Sequence, residues 1–230
     1  MSTNFTIGNV LNLGWKLFIK NGFVFLGLCI GYGIIDFIIS SFFDAEIDSV
    51  ALTQAESLEE ISQIVLNGIN SQFYVSILIS MILAACFSVV FVKVMLDAVD
   101  ENELKFYFNL KKVVNSFFAN LLYILIIFIG MIAFILPGIY FALRFQFYDY
   151  FIVDKDCNAI DSLKESWRIT NNQSLSLLGL FSIFIGICIL GLLAFIVGIF
   201  AAVPLCFVMQ MIAYRLLFAE KEIAGEGLHS

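Results

Sequence analysis

The sequence predicts an all-α, polytopic integral membrane protein, and two observations support this: the composition and the length of the uncharged runs. The chain of 230 residues is 61% hydrophobic and 13% charged, whereas soluble domains are roughly 45–50% apolar and about 25% charged. Four runs, 21–35, 61–92, 113–143 and 169–214, contain no Asp, Glu, Lys or Arg. A bilayer core about 30 Å thick needs about 20 apolar residues per helix, so the last run alone has room for two crossings.

We expect six transmembrane helices in a single domain over residues 1–222, followed by a flexible tail at 223–230. The expected spans lie at 22–43, 73–96, 118–137, 138–154, 174–196 and 198–219. The fourth is the shortest, and at about 1.5 Å per residue it covers only about 25 Å. A short, aromatic span that carries charge is expected to pack inside the bundle rather than to face lipid.

The basic residues predict the orientation of these spans. Eleven of the 12 Lys and Arg residues lie near the N-terminus, around the connections 97–117 and 155–173, or at the C-terminal end. The outer acidic loop 44–72 has six acids and no Lys or Arg. Cytoplasmic loops retain basic residues, so we expect both termini in the cytoplasm.

Two of the cytoplasmic connections have the periodicity of short amphipathic helices. Residues 105–117 and 158–172 each place apolar side chains, among them Ile160, Leu163 and Trp167, on one helical face. Asn158 is the expected N-cap of the second helix. These two helices, and a looser one in the N-terminal segment, are expected to lie in the headgroup plane with the apolar face down. The N-terminal segment has a looser form of this pattern. The chain can therefore be interpreted as a three-fold repeat of one interfacial helix followed by two spans. Alternatively, there is no repeat, and the three helices are similar only because all amphipathic helices share this pattern.

The outer loop 44–72 is expected to contain a helix. Thr53 with Glu56 and Ser57 with Glu60 have the spacing of capping boxes, in which each side chain caps the other residue's backbone N–H. This helix either lies on the outer surface and shortens the loop, or provides a docking site for a protein partner.

Three ionisable residues, Asp36, Arg144 and Asp149, fall inside the expected spans. Charge inside a membrane is costly unless it is paired or hydrated, so such residues mark functional candidates. Asp36 and Arg144 are expected at the same depth, where they could form a buried ion pair that fixes neighbouring helices. Alternatively, Arg144 binds an anionic headgroup or substrate, or reaches the interface. Asp149 is expected nearer the cytoplasm, beside Lys93 or facing water.

Glycine and proline predict turns, kinks and close packing. Pro137 and Gly138 are expected to form the turn between spans three and four. Pro204 predicts a kink or a hinge in the last span. Gly27 and Gly31 form a GxxxG pattern, which suits close helix packing within the chain or in a homo-oligomer.

The sequence lacks the motifs that typically mark catalytic and metal-binding sites. The single histidine is His229, and the sequence has no GxSxG motif or Walker loop. We therefore expect no catalytic residues, no metal site and no cofactor. The five cysteines lack CxxC spacing and are interpreted as packing residues. The net charge of −7 argues against a nucleic-acid partner.

A family resemblance rests on two stretches. "LPGIYFALRFQFYDYFIVDKDCNAIDSLKESWRITNNQSLSLLGL", residues 136–180, contains Pro137, Gly138 and Arg144, and "VLNLGWKLFIKN" lies near the start of the chain. Both resemble the membrane domain attached to some glycerophosphodiester phosphodiesterases and its stand-alone bacterial relatives. The resemblance implies a six-helix protein of the bacterial inner membrane. It does not imply hydrolase activity, because the resemblance does not extend to the hydrolase domain.

These observations lead to an expected function. The chain is expected to be a non-enzymatic accessory or scaffold protein that organises lipid in the bacterial envelope. Its expected partners are membrane lipids and a protein bound through loop 44–72 or through the helices 105–117 and 158–172. The alternative is a transporter or channel subunit with a polar site at Arg144, and a weaker alternative is a bacteriocin-type immunity protein.

Overall fold

The structure is a computed structural model that describes residues 5–42, 57–68, 71–104, 106, 108–193 and 197–224. Within these ranges it contains nine α-helices and no strand. The helices are α1 (Ile7–Phe42), α2 (Leu58–Gly68), α3 (Ser71–Val99), α4 (Leu110–Ala133), α5 (Ile135–Phe145), α6 (Tyr148–Lys155), α7 (Ala159–Ile169), α8 (Ser174–Leu193) and α9 (Val197–Ile223).

Five of these helices are long and apolar enough to cross a membrane: α1, α3, α4, α8 and α9. Each contains a strongly apolar stretch of 18 residues that carries at most two charged residues. The chain is therefore an all-helical, multi-pass membrane protein, as the composition predicts. The helices α5 and α6 are too short to be counted among the five.

The segment predicted as one span at 138–154 consists of two helices, because the helix is interrupted at Gln146 and Phe147, and its crossing of the membrane stays a prediction. The Gln146 side chain donates a hydrogen bond of 3.0 Å to the Leu143 carbonyl, the oxygen to which the Phe147 N–H would donate in a continuous helix. The Phe147 N–H instead donates to Ser166 Oγ, at 3.1 Å. A new helix, α6, then begins at Tyr148.

The turn between α4 and α5 lies at Phe134, not at Pro137 and Gly138 as predicted. Phe134 has extended backbone angles, φ −166° and ψ 152°, and its N–H donates to the Gly130 carbonyl. Pro137 lies in the first turn of α5, where the N–H that proline lacks would have no helical partner. Pro204 lies inside α9.

Two of the three predicted interfacial helices are continuous with spans. The helix α1 begins at Ile7 and includes both the N-terminal segment and the first span. The helix α4 begins at Leu110, so residues 110–117 of the predicted helix 105–117 form its first turns. Only α7 is separate, and its predicted N-cap is confirmed, since the Asn158 side chain accepts from the Asp161 N–H at 2.9 Å.

The chain divides into two compact units, one formed by residues 1–30 and 85–230 and the other by residues 31–84. The smaller unit contains α2, and the Ser57 hydroxyl caps this helix by accepting from the Glu60 N–H at 3.2 Å. The other predicted capping residue, Thr53, lies outside the described residues.

Part of the core of the larger unit lies where α6 packs against α9. Tyr214 of α9 is fully buried and stacks on Tyr150 of α6, with ring centroids 5.2 Å apart. Phe151 of α6 meets the same ring edge-on, also at 5.2 Å. Burial of large aromatic side chains therefore fixes the second half of the broken segment against the last helix.

The helix α4 and the α5–α6 segment run antiparallel and are in contact near both ends. At one end a Cβ on Gly130 would lie 3.0 Å from the Gly138 Cα, so the two backbones pack directly together. At the other end, Lys112 Nζ of α4 donates to the Val153 carbonyl of α6 at 2.7 Å. In contrast, a Cβ added to Gly27 or Gly31 would meet no atom within 4 Å among the described residues, so the role of these two glycines in packing stays a prediction.

We expect Gly130→Ala to lower the free energy of unfolding by roughly 1–3 kcal/mol, the usual cost of overpacking. The added Cβ would approach backbone atoms of α5, which cannot move without separating the helices. Gly27→Ala is the matched control and should be neutral or stabilising by up to about 1 kcal/mol, because alanine favours helix. Thermal unfolding in detergent, followed by size-exclusion chromatography, measures both. Equal stability of the two variants would contradict the close contact.

Candidate functional site

Arg144 lies in the last turn of α5 and is buried, with 2% of the residue exposed. Its guanidinium carbon is 4.1 Å from the centre of the Trp167 ring and 5.8 Å from that of Tyr140. A cation over an aromatic face is stabilised by the ring quadrupole, most strongly where water is excluded. The rings therefore replace part of the hydration that Arg144 loses on burial.

Trp167 of α7 is the centre of a group of four aromatic side chains that we call the aromatic cluster: Tyr140, Phe141, Phe145 and Trp167. The Trp167 ring lies 5.2 Å from Phe145, 5.8 Å from Tyr140 and 6.3 Å from Phe141. Phe141 and Phe145 are one helical turn apart, which places them on the same side of α5. Helix α7 thus packs Trp167 over Arg144 rather than presenting it only to lipid.

The polar partner of Arg144 is an amide. Arg144 Nη2 donates to Asn171 Oδ1 at 3.4 Å, while Arg144 Nε has no hydrogen-bond partner among the described residues. Within that part of the chain no carboxylate lies within 4.0 Å of the guanidinium. Asp36 belongs to the other compact unit, and its pairing with Arg144 stays a prediction.

Hydroxyl groups of α7 hold the break between α5 and α6. Ser166 Oγ donates to the Arg144 carbonyl at 2.9 Å and accepts from the Phe147 N–H. Thr170 Oγ1 lies 3.1 Å from the same carbonyl and 2.8 Å from the Ser166 carbonyl. The Ser166 side chain therefore satisfies a donor and an acceptor at the interruption, which buried backbone groups require.

The face of α7 that packs inward differs from the predicted one. Ser162, Ser166 and Thr170, spaced four residues apart, are fully buried. Leu163 is also buried, whereas Ile160, assigned to the same apolar face, is exposed. The periodic apolar residues suggested a helix lying on lipid, but small hydroxyl residues allow α7 to pack closely against the α5–α6 break. The signal for this contact was the i, i+4 spacing of Ser162, Ser166 and Thr170.

Asp149, at the start of α6, contacts two serine hydroxyls and does not pair with Lys93, one of its two predicted neighbours. Ser88 Oγ of α3 donates to Asp149 Oδ2 at 2.7 Å, and Ser116 Oγ of α4 donates to Asp149 Oδ1 at 2.6 Å. Lys93 instead pairs with Asp97 on its own helix, at 2.6 Å. The Asp149 carboxyl thus joins three helices through hydroxyl donors.

A second charged group joins α9 to α3 and α6. Arg215 Nη2 lies 2.6 Å from Asp100 Oδ2, and Arg215 Nη1 lies 3.2 Å from Asp154 Oδ2. The Tyr214 hydroxyl donates to the same oxygen of Asp154 at 2.9 Å. Nothing in the sequence distinguished Arg215 from the other basic residues at this end, because its two carboxylate partners lie more than 60 residues away in the chain.

The end of α6 is held by Lys112. Besides the Val153 carbonyl, its Nζ contacts Asp156 Oδ1 at 2.8 Å. Asp156 ends α6 in the left-handed conformation, with φ 55°. A lysine at a helix C-terminus binds free carbonyls and interacts favourably with the helix dipole.

Cys157 lies in the connection between α6 and α7. Burial, together with the nearby carboxylates of Glu165, Asp161 and Asp156, raises the pKa of its thiol above the usual value. A thiol with a raised pKa is protonated at neutral pH and is a poor nucleophile. This agrees with the interpretation of Cys157 as a packing residue.

The side chains of this region are engaged mainly with one another. Among the described residues no three His, Cys, Asp or Glu side chains are close enough together to hold a metal ion. Trp167 and Tyr140 cover the guanidinium of Arg144, so an anion could reach it only past these rings. Asp149 and Arg215 are already engaged by side chains of neighbouring helices.

Comparison with known proteins identifies a family. Residues 69–225 match the family described as Domain of unknown function (DUF7847). The matched region is more than half of the chain, and the chain belongs to this family. The region includes Arg144, Asp149 and Trp167 but not Asp36. No curated protein and no solved structure matches the chain significantly, so the resemblance to the phosphodiesterase membrane domain stays a prediction.

We expect Ser166→Ala to lower the free energy of unfolding by about 1–3 kcal/mol, because the Phe147 N–H would be buried without an acceptor. Ser182→Ala is the matched control: its hydroxyl is exposed and donates only within its own helix, to the Leu178 carbonyl. The control should change stability by no more than about 0.5 kcal/mol. Thermal unfolding of both variants in detergent tests this. Equal effects would show that Ser166 does not hold the break.

Proposed function

We propose that this member of the DUF7847 family is a non-enzymatic accessory protein of the bacterial inner membrane that organises lipid and presents a scaffold to envelope partners. The observation that carries the proposal is the packing of Arg144. Transport past this residue would need a solvated path to the guanidinium, whereas Arg144 is 2% exposed and covered by an indole ring.

We propose six crossings, of which the fourth is the broken α5–α6 segment. Its contacts with α4 near both ends, at Gly138 and at Val153, support a return across the same thickness that α4 spans. An even number of crossings leaves both termini on one side, which the positive-inside rule assigns to the cytoplasm. A broken helix at membrane depth is tolerated where protein surrounds it, and α7 supplies the missing backbone partners.

The interactions of the charged residues also support a structural rather than a transport role. Arg215 and Lys112 hold helix ends and neighbouring carboxylates within the chain. Asp149 is held by two hydroxyls. Side chains fixed in this way stabilise one arrangement of helices and are poorly placed to exchange partners with a moving solute.

The second candidate is a transporter or channel subunit, which two observations favour. Arg144 Nε has no hydrogen-bond partner among the described residues. A cavity of about 220 Å³, lined in part by Tyr123, Gln146 and Gln210, lies beside the α5–α6 break. A binding cavity next to an interrupted helix is a common substrate site in transporters. The immunity hypothesis has no comparable observation.

We expect Arg144→Ala to reduce the yield of folded protein several-fold, because it removes the side chain on which Trp167 packs, while solute uptake into liposomes stays at background for wild type and variant alike. Arg144→Lys should be intermediate, since lysine keeps the charge but not the planar stacking. Size-exclusion yield and uptake of small phosphorylated solutes are the measurements. Saturable uptake by wild type that Arg144→Ala abolishes at normal yield would favour the transporter instead.

The orientation is tested by cysteine labelling in a variant without the five native cysteines. Ser49→Cys, in the outer loop, should react with an impermeant maleimide in intact spheroplasts. Lys164→Cys, at an exposed position of α7, should react only after permeabilisation. Reaction of both from the same side would refute the proposed crossing number.

A further inference from the structure

A cleft of about 260 Å³ lies between the start of α1, the end of α3 and the last turns of α9. Its floor is apolar and includes Leu13 and Leu17 of α1 and Ile212 and Leu216 of α9. Three basic residues, Lys16, Lys20 and Arg215, line its rim, against one carboxylate, Glu101. Basic groups above an apolar floor match an amphiphile that has an anionic head and a hydrocarbon tail.

The two lysines are the cations of the cleft that remain available to a ligand. Lys16 and Lys20 lie one helical turn apart, on the same side of α1. Lys16 has no hydrogen-bond or ion-pair partner in the described part of the chain. Lys20 is 3.6 Å from Glu101, but both side chains are largely exposed, at 63% and 77%, and an exposed pair of this kind is weak. An incoming phosphate can therefore engage both ammonium groups.

Arg215 has a different role in the cleft. Its guanidinium is held by Asp100 at 2.6 Å and by Asp154 at 3.2 Å, so it forms a fixed wall rather than a mobile ligand. These two contacts also neutralise much of its charge. The specificity for an anion then rests on Lys16 and Lys20.

The exposed apolar side chains on the other side of this part of α1 indicate that the cleft lies at the level of the lipid headgroups. Trp15 is 52% exposed and Ile19 is 66% exposed, each next in sequence to one of the lysines. Tryptophan is enriched at the level of the headgroups, where its ring has both apolar and polar surroundings. A ligand that enters at this level comes from the membrane, which favours a lipid over a free phosphate.

We propose that this cleft binds an anionic phospholipid of the inner leaflet, with the phosphate between Lys16 and Lys20 and the first part of an acyl chain on Leu17 and Ile212. The proposal rests on the proposed function, for which it names the lipid class and the place where the lipid is held. It requires no movement of Arg215 or of the aromatic cluster.

The test uses the full chain in nanodiscs of phosphatidylcholine that contain a small fraction of phosphatidylglycerol. Lipid that remains bound after delipidation in detergent is quantified by mass spectrometry. Wild type should retain phosphatidylglycerol in preference to phosphatidylcholine. Lys16→Gln with Lys20→Gln should weaken that retention roughly 30-fold, since each lysine near an anionic lipid contributes about fivefold.

The matched control is Lys111→Gln with Lys164→Gln, which removes the same charge from exposed positions outside the cleft. The control, and the conservative pair Lys16→Arg with Lys20→Arg, should retain phosphatidylglycerol as wild type does. All variants change exposed side chains, and size-exclusion profiles verify their folding.

Three results would overturn the proposal: equal loss in the control, unchanged retention in the cleft variant, or displacement of the lipid by millimolar inorganic phosphate, which would identify free phosphate as the ligand. None of these readouts depends on Arg144 or on solute uptake. Failure of the cleft is therefore distinguishable from failure of the proposed function.

Discussion

The architecture depends on which groups form hydrogen bonds with the backbone where a helix is interrupted in an apolar environment. At Gln146 and Phe147 the regular hydrogen bonds stop, and an unpaired backbone group away from water costs several kcal/mol. The hydroxyl of Ser166 supplies both a donor and an acceptor at this point. This requirement places α7 against the break, and the position of α7 in turn brings Trp167 over Arg144. The interruption, the serine and the aromatic cluster form one structural unit.

Charge in this protein is stabilised in two different ways. Near the ends of α3, α6 and α9, arginine and aspartate meet directly in a network of ion pairs. Arg144 and Asp149 have no opposite charge beside them among the described residues, and are stabilised instead by aromatic faces, an amide and hydroxyl groups. Dipoles and ring quadrupoles are weaker than charges, but they need no second desolvated ion, and desolvation is the main cost of a buried ion pair.

The sequence predicts the helical membrane class because a long uncharged run that crosses a bilayer must form its backbone hydrogen bonds within itself, as a helix does. The cap at Asn158 follows equally from local chemistry. The break at Phe147 could not be predicted, since it depends on a serine 19 residues later in the chain. Arg144 and Asp149 stand out as isolated charges, whereas their partners do not: tryptophan and serine are ordinary residues until the fold brings them together. The predicted position of the turn between α4 and α5 was wrong for a related reason: proline is tolerated in a first helical turn as readily as in a loop.

The two contacts between α4 and the α5–α6 segment, at Gly130 and at Lys112, have a consequence for how this family can vary in length. Because the two segments are in contact at both ends, they must have the same length along the helix axis. An insertion or deletion in α4 therefore requires a compensating insertion or deletion between Gly138 and Val153. An uncompensated change would separate either the glycine pair or the lysine and its carbonyl. Divergent relatives should therefore differ by paired indels in these two stretches.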